Sequence, residues 1–120
     1  MDKILSDNYW LNISMLDSEF RIKESFDLVG REIKISKRNS KIYFVDGFCK
    51  DETMAKTMAY FMKVDEKTLK SCQTTRDFAN NFIPYVETDV VSKVDELVRA
   101  VLSGAVAMLV EGFSEAIIID

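Results

Sequence analysis

Histidine is absent from this 120-residue chain. Its absence removes the commonest general base, the commonest zinc ligand and every Ser–His or Cys–His nucleophilic arrangement. Proline occurs once and glycine four times, too few for a collagen-like, low-complexity or linker-rich chain. Only two cysteines occur, Cys49 and Cys72, with no Cys-x-x-Cys spacing and no histidine to complete a metal site. No apolar run approaches the ~20 residues of a membrane helix; the longest is 105–110. Met1-Asp2-Lys3 leads into only Ile4 and Leu5, so no secretion leader is expected, and the cysteines read as small buried hydrophobes in a reducing compartment. Basic charge is also short: 16 Lys plus Arg against 20 Asp plus Glu, a net charge of −4. With no basic excess to neutralise phosphates, nucleic acid is not an expected partner. The basic cluster of Lys34, Lys37, Arg38 and Lys41 reads as a solvated turn.

What remains is an ordinary globular balance, 48% hydrophobic and 30% charged. A chain of this length is one soluble domain spanning 1–120, large enough for a core without staples. Ser6 or Asp7 is placed to cap a helix over 7–20. Tyr9, Ile13, Leu16 and Phe20 make its buried stripe, while Leu11 and Met15 form a second apolar patch on the other side. From Asp27 to Ser36 the period changes to two, apolar and charged in turn from Arg31 on, giving a half-buried strand, then a turn over 37–40 and a return strand over 41–46. A second helix is expected over 52–63, with Met54, Ala55, Met58, Ala59, Phe61 and Met62 on one broad buried arc and Tyr60 pointing away. Residues 65–71 read as a short helix or turn. A helix carrying Phe78, Ala79 and Phe82 should end before Pro84, followed by a short extended piece over 85–87.

Ser92 is placed to cap a helix to about Ser103. Val94, Leu97, Val98, Val101 and Leu102 line its apolar face, Asp95 and Arg99 pair on the other, and Gly104 closes it at positive φ. A second hairpin follows, with strands over 105–111 and 115–120, so apolar that both should be central. The expected fold is α/β: a mixed sheet built from two hairpins with helices packed on it, in a single compact domain. The 31–46 hairpin should lie beside the terminal one or at an edge. The chain stops at Asp120 directly after a core strand, which points to more protein beyond it.

Few residues suggest chemistry. Val45-Asp46-Gly47-Phe48 echoes Val110-Glu111-Gly112-Phe113, so Asp46 and Glu111 could pair as metal ligands or as an acid/base couple. The plainer reading is two strand exits, where acids and glycine suit the backbone. There is no phosphate-cradling glycine loop and no nucleophile elbow. The chain therefore reads as a binding or assembly domain, not an enzyme, with no catalytic residue, cofactor or metal expected. Its candidate partner surface is Leu11, Met15 and Tyr60.

Several segments, in order, resemble the N-terminal soluble region of the spore germination receptor A-subunit family. They are Ser25-Phe26-Asp27-Leu28-Val29-Gly30-Arg31-Glu32, Tyr43-Phe44-Val45-Asp46-Gly47-Phe48-Cys49-Lys50-Asp51, and Phe82-Ile83-Pro84-Tyr85-Val86-Glu87. Val101-Leu102-Ser103-Gly104, Leu109-Val110-Glu111-Gly112 and Ala116-Ile117-Ile118-Ile119-Asp120 complete the set. The first three are most similar to the member encoded with a sporulation operon rather than with a nutrient receptor. The resemblance implies the N-terminal part of a longer protein of the endospore inner membrane, with this domain on the cytoplasmic, spore-core side. It implies an assembly or regulatory role in a complex involved in ion release, and as partners the other subunits of that complex, with homo-oligomerisation through a membrane region beyond this sequence. The alternative is a small-ligand sensor domain of a germinant receptor subunit.

Overall fold

A computed structural model describes residues 3–20, 28–45, 59, 63, 65–72, 74–75 and 88–119. Their elements are α1 (Tyr9–Phe20), β1 (Leu28–Ile35), β2 (Arg38–Val45), α2 (Glu66–Ser71), β3 (Thr88–Val91), α3 (Val94–Leu102), β4 (Val106–Val110) and β5 (Ala116–Ile119). The strands form one sheet in the order β1-β2-β4-β5-β3. The two expected hairpins share this sheet, with the terminal one inside and β1 at an edge. The sheet expected as mixed is antiparallel in each described ladder. The reason is β5, which inserts between β3 and β4. Those two strands run the same way but never touch, a split β-α-β arrangement with α3 as the crossover. The sequence reading had no strand at 88–91; its four residues lack strict alternation and are only half-buried at best.

Period-two alternation sorts the strand residues onto two faces. Leu28, Tyr43, Ala107, Leu109, Ala116 and Ile118 face α1 and α3, meeting Tyr9, Ile13, Leu16, Phe20, Val94, Leu97 and Val101. Ile35, Ile42, Val106, Met108, Val110, Ile117 and Ile119 face the other way and pack with Leu69, Cys72 and Phe113. Every residue of β4 and β5 is buried, so the sheet is covered on both sides. Each such aliphatic side chain contributes roughly 1.5–3 kcal/mol by leaving water. Cys72 is buried, as expected.

Local chemistry shifts several boundaries. The cap of α1 is Asn8, whose Oδ1 accepts the Leu11 N–H at 3.1 Å. Ser6 instead accepts the Asn8 N–H at 3.2 Å. Ser92 does not cap α3, which starts after Lys93 with no side-chain cap. The N-terminal segment does that work: Val94 N–H donates to the Lys3 carbonyl at 3.0 Å and Leu5 N–H to the Ser92 carbonyl at 2.7 Å. On α3, Leu102 is exposed rather than on the apolar face, and Asp95 accepts the Glu96 N–H at 3.0 Å instead of meeting Arg99. The first hairpin turns at Ser36-Lys37, not over 37–40, since Ile35 is opposite Arg38. Ser36 takes φ 57°, as the first central residue of a type II′ turn does. The expected helix over 52–63, the Phe78–Phe82 helix and the 85–87 piece lie outside the described residues, apart from Ala59, which is exposed rather than on a buried arc.

The end of α3 follows the sequence. Gly104 sits at φ 112°. Its N–H donates to Val101 and that of Ala105 to Ala100, at 3.0 and 3.1 Å, a Schellman cap. Gly104→Val should lower unfolding free energy by about 1–2 kcal/mol, read from urea midpoints, because a Cβ disfavours left-handed backbone.

Candidate functional site

Two polar joints tie the helices to the sheet. The first lies under α1. Lys41 Nζ donates to both Asp17 oxygens, at 3.0 and 3.1 Å, and Tyr43 donates its hydroxyl to Asp17 Oδ1 at 2.7 Å. Lys41 and Tyr43 are buried on the sheet face that α1 covers, and the Phe20 ring lies 5.2 Å from that of Tyr43. Room for them comes from Gly30, the cross-strand neighbour of Tyr43. A Cβ there would sit 3.0 Å from Lys41 Cε and 3.3 Å from Tyr43 Cε1. Burial, then the Asp17 hydrogen bond and charge, hold the Tyr43 phenol far above its ordinary pKa. Burial with the carboxylates of Glu32, Glu111 and Asp17 pushes Tyr9 up to about 12.

The second joint gathers the starts of β2 and α2 at the end of β4. Arg38 Nε and Nη2 reach Glu66 Oε1 at 3.2 and 3.1 Å. Its Nη1 donates to the Glu111 carbonyl at 3.3 Å, and its guanidinium stands 5.6 Å over the Phe113 ring. Glu111 Oε1 accepts the Asn39 N–H and Nδ2–H, both at 3.1 Å. Glu111 thus clamps β4 to β2; Asp46, its candidate pair, lies outside the described residues. Among the described residues no group of three His, Cys, Asp or Glu could hold a metal ion. The basic cluster expected as a solvated turn is divided, since Arg38 and Lys41 both serve these joints.

The proposed partner residues separate. Leu11 is 57% exposed, beside Trp10 at 56%. Met15 is half-buried against the core under α1, so Leu11 and Met15 do not form one free patch. Tyr60 lies outside the described residues. Two open grooves adjoin these elements. One of about 480 Å³ is lined by Lys3, Glu19, Val94, Asp95, Val98, Arg99 and Leu102, and Lys3 and Glu19 form an ion pair across it. The other, of about 230 Å³, runs from Tyr9 and Trp10 to β1. The sequence reading missed Asn12, a buried polar residue within the apolar stripe. Its Oδ1 accepts the Ser6 N–H at 2.9 Å and its Nδ2 donates to the Ser6 carbonyl at 2.7 Å, pinning the chain before α1.

An antiparallel sheet with a split β-α-β crossover and helices on both faces defines an α/β domain class with a solved counterpart. That counterpart is the N-terminal domain of the A subunit of the Bacillus megaterium spore germinant receptor GerK3, matched at a TM-score of 0.70 over 98% of this chain and 94% of that one. The two are 16% identical, so the likeness speaks for the fold. Residues 15–120 match the family model of the Bacillus/Clostridium GerA spore germination protein, and the chain belongs to that family. It is also 27% identical over 96 residues to stage V sporulation protein AF of Bacillus subtilis (strain 168). That match covers 80% of this chain and 19% of the relative, so the chain spans about a fifth of the relative's length.

The first joint is open to test. Asp17→Ala strands the buried Lys41 ammonium and should cost about 2 kcal/mol, whereas Tyr43→Phe should cost about 1 kcal/mol. The raised tyrosines set an alkaline limit. An unfolded tyrosine ionises near 10, while the folded chain keeps these phenols neutral. Their stability contribution is therefore whole below pH ~10 and is lost as pH climbs through the folded values. Urea midpoints should be level from pH 8 to 9 and fall steadily by pH 11.

Proposed function

We propose that this domain is an assembly or regulatory element of a spore inner-membrane germination complex involved in ion release, exposed on the cytoplasmic, spore-core side. Family membership supports the setting, and one surface observation carries the role. The sheet already has apolar cover on both faces, yet Ile4, Trp10, Leu11 and Leu102 remain more than half exposed. A domain that has buried its core and still presents large apolar side chains is suited to a partner surface. The partners in this reading are other subunits of the membrane complex.

The groove beside α3 favours a second reading, a small-ligand sensor. Its volume of about 480 Å³ suits a small molecule, and it sets Arg99 and Lys3 against Asp95 and Glu19 over an apolar floor. A melting screen separates the two readings. A sensor gains about 2.7 kcal/mol from a ligand at 100 times its dissociation constant, and an assembly domain gains nothing from small molecules.

For the assembly reading, Leu11→Glu should change the stability of the domain by no more than ~0.5 kcal/mol. It should also weaken recovery of the full-length complex from spore membranes. Met15→Glu should destabilise the domain itself, because Met15 packs on the core. Unchanged complex recovery with Leu11→Glu would remove this face of α1 from the interface.

A further inference from the structure

The outer edge of β1 carries a pattern that complements itself. Among the described residues β1 ends the sheet, and Arg31, Glu32 and Lys34 on it are exposed. The direction of its backbone groups follows from the ladders. The Asn39 carbonyl accepts the Glu111 N–H on the β4 side, so Arg38, Ser40 and Ile42 direct their groups at β1. Their partners there are Ile35, Ile33 and Arg31. The alternate residues Gly30, Glu32 and Lys34 therefore turn N–H and C=O outward.

We propose that two copies of this chain pair through this edge, antiparallel about a two-fold axis at Ile33, joining their sheets into one. A two-fold axis normal to the sheet keeps each face on its own side, so it must pass through a residue, and few choices exist. Centring on Arg31, Glu32 or Lys34 sets that charge against its own copy, which is unfavourable. Centring on Ile33 sets Glu32 opposite the partner's Lys34 and Lys34 opposite the partner's Glu32. It also places isoleucine against isoleucine on the other face. These charge pairs fall on outward-facing residues, where an antiparallel ladder forms its hydrogen-bonded pairs.

A second observation falls on the same three residues. The groove of about 230 Å³ is lined by Tyr9, Trp10, Glu32, Ile33, Lys34, Asn39 and Ser40. The Trp10 ring stands edge-on to Tyr9 at 5.0 Å, and the residue is 56% exposed. An added strand on β1 runs along this groove, and each copy's Trp10 covers the new ladder. Trp is enriched in the cores of interfaces.

This pairing concerns the chain itself and does not depend on its role in germination, so its failure leaves the family reading untouched. The test is sedimentation equilibrium of the chain over a wide concentration series, with charge exchanges at two exposed positions. The unaltered chain should show a monomer–dimer equilibrium. Lys34→Glu and Glu32→Lys should each weaken it about tenfold, since each places like charges opposite one another. An equimolar mixture of the two variants restores both opposite-charge pairs and should recover dimerisation. Trp10→Ala should weaken the dimer while the circular dichroism melt shows an intact fold. A chain monomeric throughout, a Lys34→Glu chain that pairs as well as the original, or a mixture no better than its components would each overturn the proposal.

Discussion

Strands β4 and β5 are apolar on both faces, and that constraint governs the rest of the molecule. Met108 and Ile117 point one way, Ala107 and Ile118 the other, and all are buried. A one-sided sheet could leave polar residues in water. This one cannot, so helices must cover both sides. α1 and α3 cover one; Leu69 and Cys72, on and just after α2, sit on the other. The connections follow from this demand. α3 crosses from β3 to β4 over the face it covers, and β5 returns between them, because the two strands with no polar face take the interior.

The polar joints make the covering specific. Apolar burial has no direction, and α1 could slide along its stripe at little cost. Asp17 prevents this by binding Lys41 and Tyr43 together, while Asn12 holds the preceding chain at Ser6. Arg38 does the same for α2, through Glu66 and the Glu111 carbonyl. In each case a charged group from the start or middle of β2 reaches out of the sheet to a helix. β2 is thus both a pairing strand and the strand that sets the helix positions, which explains why so polar a run as Arg38 to Lys41 lies in the interior of the sheet.

That same run shows where sequence reasoning succeeds and where it stops. The stripe of α1, the two hairpins, the central position of the terminal strands and the left-handed glycine after α3 were all legible, because each follows from periodicity or backbone sterics. Arg38-Asn39-Ser40 was read as a turn because polar, hydrogen-bonding side chains favour turns. What keeps them in a strand is tertiary: Glu66 and Glu111 are remote in sequence, and Ser40 donates its hydroxyl to the Leu109 carbonyl at 2.7 Å. Asn12 was missed for the same reason, since its partner at Ser6 appears only once the chain folds back. The start of α3 was assigned to Ser92 by local propensity, but the 3–5 segment already supplied the contacts there. Of the candidate residues, Leu11 was legible as exposed from its helical position. Met15 was not, because half-burial depends on how far the core reaches around α1.

The segments that carry the family likeness sit in the structural parts of the described domain. Ser103-Gly104 is the Schellman cap, Glu111-Gly112 lies in the Arg38 joint, and Gly30 makes room for Lys41 and Tyr43. A match built on such residues specifies how the chain folds and how its helices lock to the sheet. The large exposed apolar residues Ile4, Trp10 and Leu11 precede the matched residues 15–120. Being exposed, their side chains are not needed to hold the fold together. On a domain whose core is closed on both faces, an interface is built from what remains outside, which among the described residues includes the start of α1, the groove beside α3 and the charged edge of β1. Two members of the family can share the sheet and both joints and still meet different partners, because the residues that hold the fold and those that face outward are different sets.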